Sequence, residues 1–438
     1  MPIVRKFIFL FFLFAVIYPV IWQFFPIAFS RLLGALGIVY ALFTMRSAYV
    51  SKVYRNVVIG YSIMIFIAFF QSTINHALDI EFVKHVLVLP ILNLFAGYLL
   101  YAIVGKEGQS FGRLCDFILL AAVIQAVISF IMFVSPELAN SIDSLFRYDE
   151  RMEERHETLT HRLIGIGQAF WGAGINYGVD LLILAVLPDV KGSIINKYKI
   201  LYWLTSAIII LAGILSARTF FISFIFLAFY FVLMKKNIFA IIVNSYKYIL
   251  IIPLFLLFYQ IMQSQLGALR FKEVESFTFE IFNNYEESGE FESGSTTMLE
   301  GMYQIVPTST KTWAVGDGKF MNEDGSYYMR TDIGYSRQIF FYGLVGLIPF
   351  LFVLFYVYRT CVRQYRNDAI KSFIWILFLF ELTLNFKALM SLSPYWGLFL
   401  TWGVMNRDWE NELIKNELIR RSNKKNEDGI NINSRIRG

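Results

Sequence analysis

Arg218 stands in Ser216-Ala217-Arg218-Thr219, where it interrupts an apolar stretch that otherwise runs from Ile200 to Leu233. A guanidinium among such residues is costly. It either forms the outer corner of a helical hairpin and snorkels to water, or lines a cavity that holds an anion. A second polar concentration runs from Gly316-Asp317-Gly318 through Arg330, Thr331, Asp332, Ile333, Gly334, Tyr335, Ser336 and Arg337. It sets carboxylate, hydroxyl and guanidinium groups at the entry of an apolar segment, and Gly343-Leu344-Val345-Gly346 just inside that segment permits close packing or a bend. The alternative is a juxtamembrane cap whose arginines snorkel. A third region holds Arg147, Arg151 and Arg155 at four-residue spacing among Asp149, Glu150, Glu153 and Glu154. On a helix these arginines form one stripe, suited to anionic headgroups or a diphosphate, or equally to salt bridges along a solvated helix.

His156 and His161 invite comparison with the zinc-binding helix motif, but five-residue spacing turns them roughly 140° apart on a helix. No metal site is expected there. After His161 come Arg162, Gly165, Gly167, Gly172, Gly174 and Asn176; the glycines let the backbone turn tightly or approach a ligand, or simply form a flexible re-entry loop. Arg31, Lys84, His85, Asp180, Glu381 and Lys387 fall in or near apolar runs, where interhelical pairing or interface placement explains most of them.

The elements that must position these groups are membrane helices. The 438 residues are 57% hydrophobic, 18% aromatic and 16% charged, more apolar surface than a soluble core of this length uses. Apolar runs near the roughly 20 residues of a span recur from Phe7 to Met405, at 7–25, 27–45, 56–74, 83–104, 114–135, 175–190, 200–216, 218–234, 247–263, 334–358, 371–387 and 389–405, about twelve in all. The expected fold is therefore all-α and integral. Arg5 and Lys6 before Phe7 resemble the start of a signal peptide, but no small-residue cleavage site follows, so an uncleaved first span is expected.

Placing both termini in the cytoplasm puts Arg46, Lys52, Arg55, Lys106, Arg113, Lys191, Lys197, Lys199, Lys235, Lys236, Arg359, Arg363, Arg366 and Lys371 inside, with the basic tail 407–438. The polytopic domain is then 1–406, and two longer polar segments, 136–174 and 264–333, lie outside. The net charge of +6 follows from these loop lysines and arginines, so nucleic acid is not an expected partner. Cys115 and Cys361 lie in or at the end of apolar runs in opposite halves of the chain, leaving no disulfide framework or cysteine-based metal site to read. The polar tail after Arg407 is too short for an output domain. No internal repeat stands out, which weakens a transporter built on inverted repeats.

The order of these pieces resembles the O-antigen polymerase and ligase superfamily: an Arg-x-x-Gly element entering a middle span (Arg162 to Gly165), a Ser-x-Arg-Thr corner (Ser216 to Thr219), a large outer loop with Gly-x-Gly (Gly316 to Gly318), then Asp-x-Gly-Tyr (Asp332 to Tyr335) and Gly-x-x-Gly (Gly343 to Gly346). The resemblance covers roughly residues 160–350. It implies a membrane-embedded, GT-C-like glycosyltransferase of the bacterial inner membrane, needing no metal or other cofactor and working at the outer leaflet on saccharides carried by undecaprenyl diphosphate. It implies diphosphate contacts from Arg162, Arg218 and Arg337, with Arg330 beside them, and Asp332 and Tyr335 near the sugar. Asp332 or His161 would take the acceptor's proton. A polymerase moves the growing glycan onto a lipid-linked repeat unit, in partnership with a chain-length regulator; a ligase moves it onto lipid A core; a flippase for lipid-linked oligosaccharides is the alternative from another class.

Overall fold

In the computed structural model the described residues are 3–77, 79–105, 108–147, 162, 163, 165–167, 171–234, isolated positions between 260 and 289, and 293–408. Expectations for Arg151, Arg155, His156, His161, the apolar run 247–263 and the tail from 409 fall outside them. The helices are α1 (Ile3–Ile17), α2 (Phe29–Thr44), α3 (Ala48–Ile74), α4 (Ile80–Val104), α5 (Phe111–Val134), α6 (Pro136–Asp143), α7 (Trp171–Val186), α8 (Lys199–Ser216), α9 (Ile222–Leu233), α10 (Gly294–Tyr303), α11 (Thr310–Val315), α12 (Gly334–Gln364), α13 (Asp368–Leu384) and α14 over 393–408. No strand occurs among the described residues, only the isolated bridges Trp22 to Phe146 and Met321 to Tyr327.

Capping residues mark where several helices begin. Ser47, Ser110, Ser293 and Ser309 each accept a hydrogen bond from a backbone N–H three residues on, and Asn367 accepts from Ala369 and Ile370. Each thereby satisfies a donor the first turn would leave unpaired, about 1 kcal/mol per cap. Among the described residues six helical stretches are long and apolar enough to cross a bilayer: α3, α4, α5, α7 with its 3₁₀ extension, α8 and α12. The shorter apolar helices are α2 and the Arg218–Leu233 stretch containing α9.

Some boundaries depart from the hydropathy reading. The first helix stops at Ile17 instead of continuing to 25, because Pro19 follows and proline disfavours helical backbone in its predecessor. Residues 18–28 instead form a non-helical passage joined to the outer loop, where Gln23 N–H donates to Leu145 O at 2.8 Å and Arg147 N–H to Ile21 O at 2.7 Å. The run expected at 371–387 ends at Leu384, and the next helix begins at 393, leaving 385–392 as a structured loop.

The element at the centre is α7. Of its membrane-length window 83% is buried, against 33–56% for the other five, and it packs on α5, α8, α9 and α13. Elsewhere α2 lies along α4, and α3 packs against α12. The loops sort to two ends of this bundle. At one end Arg5 donates to Ala102 O and Ile103 O, Ser47 to Asp408, Tyr49 to Gln364, and Asn406 to Gln109 O. At the other end meet residues 18–28, the start of α4, the 162–167 segment, the Arg218 corner, residues 316–333 and loop 385–392.

Candidate functional site

Four separate chain segments build the candidate site at this second end. The first is the Arg218 corner. α8 ends at Ser216, Ala217 is extended, and the 3₁₀ turn Arg218–Phe221 starts α9. The arginine is thus a hairpin corner and also sheltered: its side chain is 13% exposed, and Nη1 lies 2.7 Å from Glu280 Oε2. Glu280 uses its other oxygen to accept from Gly294 N–H at the start of α10, at 2.8 Å, where a carboxylate is favoured by the helix dipole.

The second segment carries Arg162. Leu163 N–H donates to Leu215 O at 3.1 Å, which ties the segment to the last turn of α8 next to the Arg218 corner. Gln125 of α5 donates to Ile166 O at 2.8 Å, and Gly167, with φ of +80°, turns against the backbone of Tyr18. The Arg-x-x-Gly element is therefore threaded among α1, α5 and α8.

Loop 385–392 is the third segment and contributes Lys387. Burial, then the nearby Arg218 and Arg162 charges, push its ammonium down from the usual lysine range to about 8. Three cations distant in sequence thus share one electrostatic neighbourhood, and Glu280 is a carboxylate paired with one of them, Arg218. Asn385 holds this loop in shape. Its amide donates to Glu381 O and Met390 O, both at 2.9 Å, while its side-chain oxygen accepts from Met390 N–H and Gln338.

The Asp332–Tyr335 motif makes up the fourth segment and is fitted to that loop. A Cβ on Gly334 would meet Asn385 Oδ1 at 2.7 Å and Leu389 Cα at 2.9 Å, so only glycine allows the approach. Tyr335 N–H donates to Asn385 O at 3.1 Å, and its hydroxyl donates to Leu382 O at 2.8 Å. Tyr303 of α10 closes the other side by donating to Phe386 O at 2.6 Å. Tyr335 therefore buttresses the loop that bears Lys387. Asp332 is half-buried at the head of α12, its backbone N–H directed at Met302 Sδ at 3.5 Å.

Arg337 goes elsewhere. It is 7% exposed, with its guanidinium carbon 3.9 Å from the Phe320 ring centroid and 3.6 Å from that of Tyr327. This aromatic sandwich secures residues 316–330 as a strap against α12. At the strap's start Asp317 N–H and Gly318 N–H donate to Phe340 O and Phe341 O at 2.6 and 3.0 Å. Those carbonyls need partners because Gly343, with φ of +63°, breaks α12 one residue beyond Tyr342. The sequence allowed close packing or a bend at Gly343; the structure has a full interruption, with Gly316 against the backbone of Phe341 and Tyr342 and Gly343 against that of Ala314 and Val315. Asp317 also accepts from Thr312 and from Tyr328; burial, and then this carboxylate, raise the Tyr328 hydroxyl above the usual phenol range. Arg330 is exposed and, with Met329, takes left-handed backbone at the strap's end.

Beside the strap opens a cleft of about 990 Å³, lined by Asp79, Glu81, Lys84, Lys319, Asn322 and Asp324 among others. Asp79 Oδ2 accepts from Phe320 and Met321 N–H at 2.7 and 2.8 Å and so fixes its wall. Among the described residues no group of three His, Cys, Asp or Glu side chains is disposed to hold a metal ion.

Long apolar helices, loops sorted to two ends and a sheltered cationic site at one of them define a multi-pass α-helical membrane protein. No family model, no curated protein and no solved structure matches the chain.

Of the residues singled out in the sequence, the structure brings Arg162 and Arg218 together, sets Tyr335 behind them as support, and gives Arg337 to the strap. Lys387, for which the sequence suggests interhelical pairing or interface placement, joins them. The signal that could have found it is the run Asn385-Phe386-Lys387 ahead of Ser393-Pro394, a polar break between two apolar runs.

Proposed function

We propose that this chain is a surface-polysaccharide polymerase of the bacterial inner membrane, moving a growing glycan from undecaprenyl diphosphate onto a lipid-linked repeat unit at the outer leaflet. The observation that carries this reading is the convergence of Arg162, Arg218 and Lys387 on one sheltered neighbourhood at the end of the bundle with the longer polar loops. Displacing a diphosphate from an anomeric carbon builds negative charge on the leaving phosphate oxygens, and fixed cations in a partly desolvated site hold that charge without a metal. Two guanidinium groups present paired donors to phosphate, and the lysine adds a point charge. Glu280, bound to Arg218, is a pre-existing anion that an incoming diphosphate would displace or share.

The cleft beside the strap, with carboxylates, an amide and lysines, suits the hydroxyl-rich surface of a saccharide. Asp332, at the head of α12, is the described candidate to take the proton of the acceptor hydroxyl. Its replacement by asparagine should lower polymer yield by about 10²-fold or more; unchanged polymer length and amount would remove it from that role. Arg337 acts in this reading through the strap that walls the cleft.

The test is a surface-glycan gel of host cells with the gene, without it, and with Arg218→Ala, alongside extraction of lipid-linked saccharides. Loss of the ladder with survival of a core-plus-one-repeat band supports polymerisation. Full-length polymer accumulating on the lipid carrier instead means a ligase. An unchanged ladder in the deletion sinks both and leaves a transporter of lipid-linked oligosaccharide.

A further inference from the structure

Between α1, α2 and α4, at the end of the bundle opposite the Arg218 site, lies a groove of about 520 Å³. Val4, Arg5 and Ile8 of α1, Tyr40 of α2 and Leu99 and Ala102 of α4 line it, among others. Val4, Ile8 and Tyr40 are exposed, so the groove opens on the outside of the bundle and not into its core. Apolar walls hold no water, and in a bilayer the medium that fills them is an acyl chain. Among the described residues that line the groove, Arg5 carries the one charge. That charge is held in place. Arg5 Nη2 donates to Ala102 O at 3.0 Å and Nε donates to Ile103 O, two of the last carbonyls of α4, the kind a helix end leaves short of amide partners. A Cβ on Gly105, which follows α4 at a φ of +68°, would stand 3.1 Å from Arg5 Cζ and Nη1, so the guanidinium lies against the backbone where glycine leaves room for it. Both of its partners are neutral. Among the described residues no carboxylate pairs with Arg5, and its Nη1 makes no hydrogen bond.

We propose that this groove binds one anionic phospholipid, with its phosphodiester on Arg5 and an acyl chain along Val4, Ile8, Leu99 and Ala102. Charge complementarity selects the lipid. A fixed guanidinium without a counter-ion, beside an apolar groove between membrane helices, matches a headgroup of net negative charge. A zwitterionic headgroup brings its own ammonium, which the guanidinium repels. Lys6, next along α1 and also exposed, adds to the same field. Tyr40 offers a ring to the chain and a hydroxyl to the headgroup, the amphipathic character that places tyrosine at the membrane interface. The lipid ties the start of α1 to the ends of α2 and α4. This site goes beyond the glycosyl-transfer reading and stands if that reading falls.

The experiment is native mass spectrometry of the full-length protein, delipidated in detergent and titrated with phosphatidylglycerol or with phosphatidylcholine of the same acyl chains. The first lipid to bind should be held about fivefold more tightly when it is phosphatidylglycerol, the contribution of one basic residue near a membrane surface. Arg5→Gln removes the charge and should bring phosphatidylglycerol down to the affinity of phosphatidylcholine, leaving the latter unchanged. Arg5→Lys, which keeps the charge, should retain the preference. Ala102→Leu fills the groove and leaves Arg5 with both backbone carbonyls, so it should weaken both lipids; this variant decides the matter should the glutamine variant fail to fold. Inorganic phosphate, a headgroup without chains, should not displace the bound lipid. Equal wild-type affinities for the two lipids would overturn the proposal. So would phosphatidylglycerol binding undiminished in either folded variant, Arg5→Gln or Ala102→Leu, or full displacement by inorganic phosphate, which would mean an anion site that makes no use of the groove.

Discussion

At the scale of single residues, the site rests on cations whose neighbours change their chemistry. Arg218 is held by Glu280 and sheltered from bulk water, so its charge is less screened than that of a surface arginine. Arg218→Ala should lower polymer synthesis by about 10²-fold, the usual effect of removing one charge-stabilising donor, read as ladder intensity per unit of membrane-inserted protein. Lys387 carries a pH signature. Its folded pKa of about 8 lies below the usual 10.5, so between those values the unfolded chain binds the proton and the folded chain does not. Stability contributed by this group therefore rises with pH across that window and is absent below about 8. Binding of an anionic ligand has the opposite sign, because the ammonium that attracts it is lost as pH rises through about 8. Affinity for a short-chain prenyl diphosphate, followed by calorimetry, should fall through that pH in the wild type and stay level in Lys387→Arg. A wild-type profile flat from pH 7 to 9.5 would remove the lysine from the site.

Among the elements, the interrupted α12 and its strap form one unit. The break at Gly343 exposes Phe340 O and Phe341 O, the strap's Asp317 and Gly318 satisfy them, and the Arg337 sandwich secures the strap's far side. Gly343→Ala forces a Cβ to 2.3 Å from Ala314 O at a positive φ. It should destabilise the fold by about 1–3 kcal/mol from backbone strain, seen as a lower unfolding midpoint. Arg337→Gln removes a cation held between two rings, a contact worth up to about 2 kcal/mol where desolvated. Protease cleavage within residues 316–330 should speed up in this variant, while the Lys387 loop, held by Tyr335 and Asn385, stays protected. Equal cleavage rates in variant and wild type would show that the sandwich does not secure the strap.

For the whole molecule, the separation of basic loops from the polar site is the property with the widest consequence. Among the described residues Arg5, Arg363 and Arg407 gather at the end opposite to Arg162, Arg218 and Lys387, and a bias of basic residues to one end is the kind of pattern that sets membrane orientation. Cys115 and Cys361 are both buried, so introduced cysteines report without strong background. With the outer membrane permeabilised and the inner membrane intact, Asn322→Cys should react with a membrane-impermeant maleimide and Arg363→Cys should react only after lysis. The reverse pattern would turn the site toward the cytoplasm and end the outer-leaflet reading.

The sequence alone determined that the chain is helical and membrane-spanning, that its basic loops alternate with polar ones, and that Arg218 interrupts an apolar stretch, either as a corner or as the lining of a cavity. These are local properties: a run of apolar side chains must satisfy its backbone internally in lipid, and that leaves a helix. It also marked Gly343 as a place of close packing or a bend. Only the tertiary structure decided that Lys387 joins Arg162 and Arg218, that Arg337 belongs to an aromatic sandwich, and that Tyr335 supports a loop. Helices apolar on all sides carry little periodicity to say which face meets which neighbour. Lys387 lies far from Arg162 and Arg218 along the chain, and their meeting depends on the packing of α7, α8 and α13, which emerges from the shapes of many side chains together.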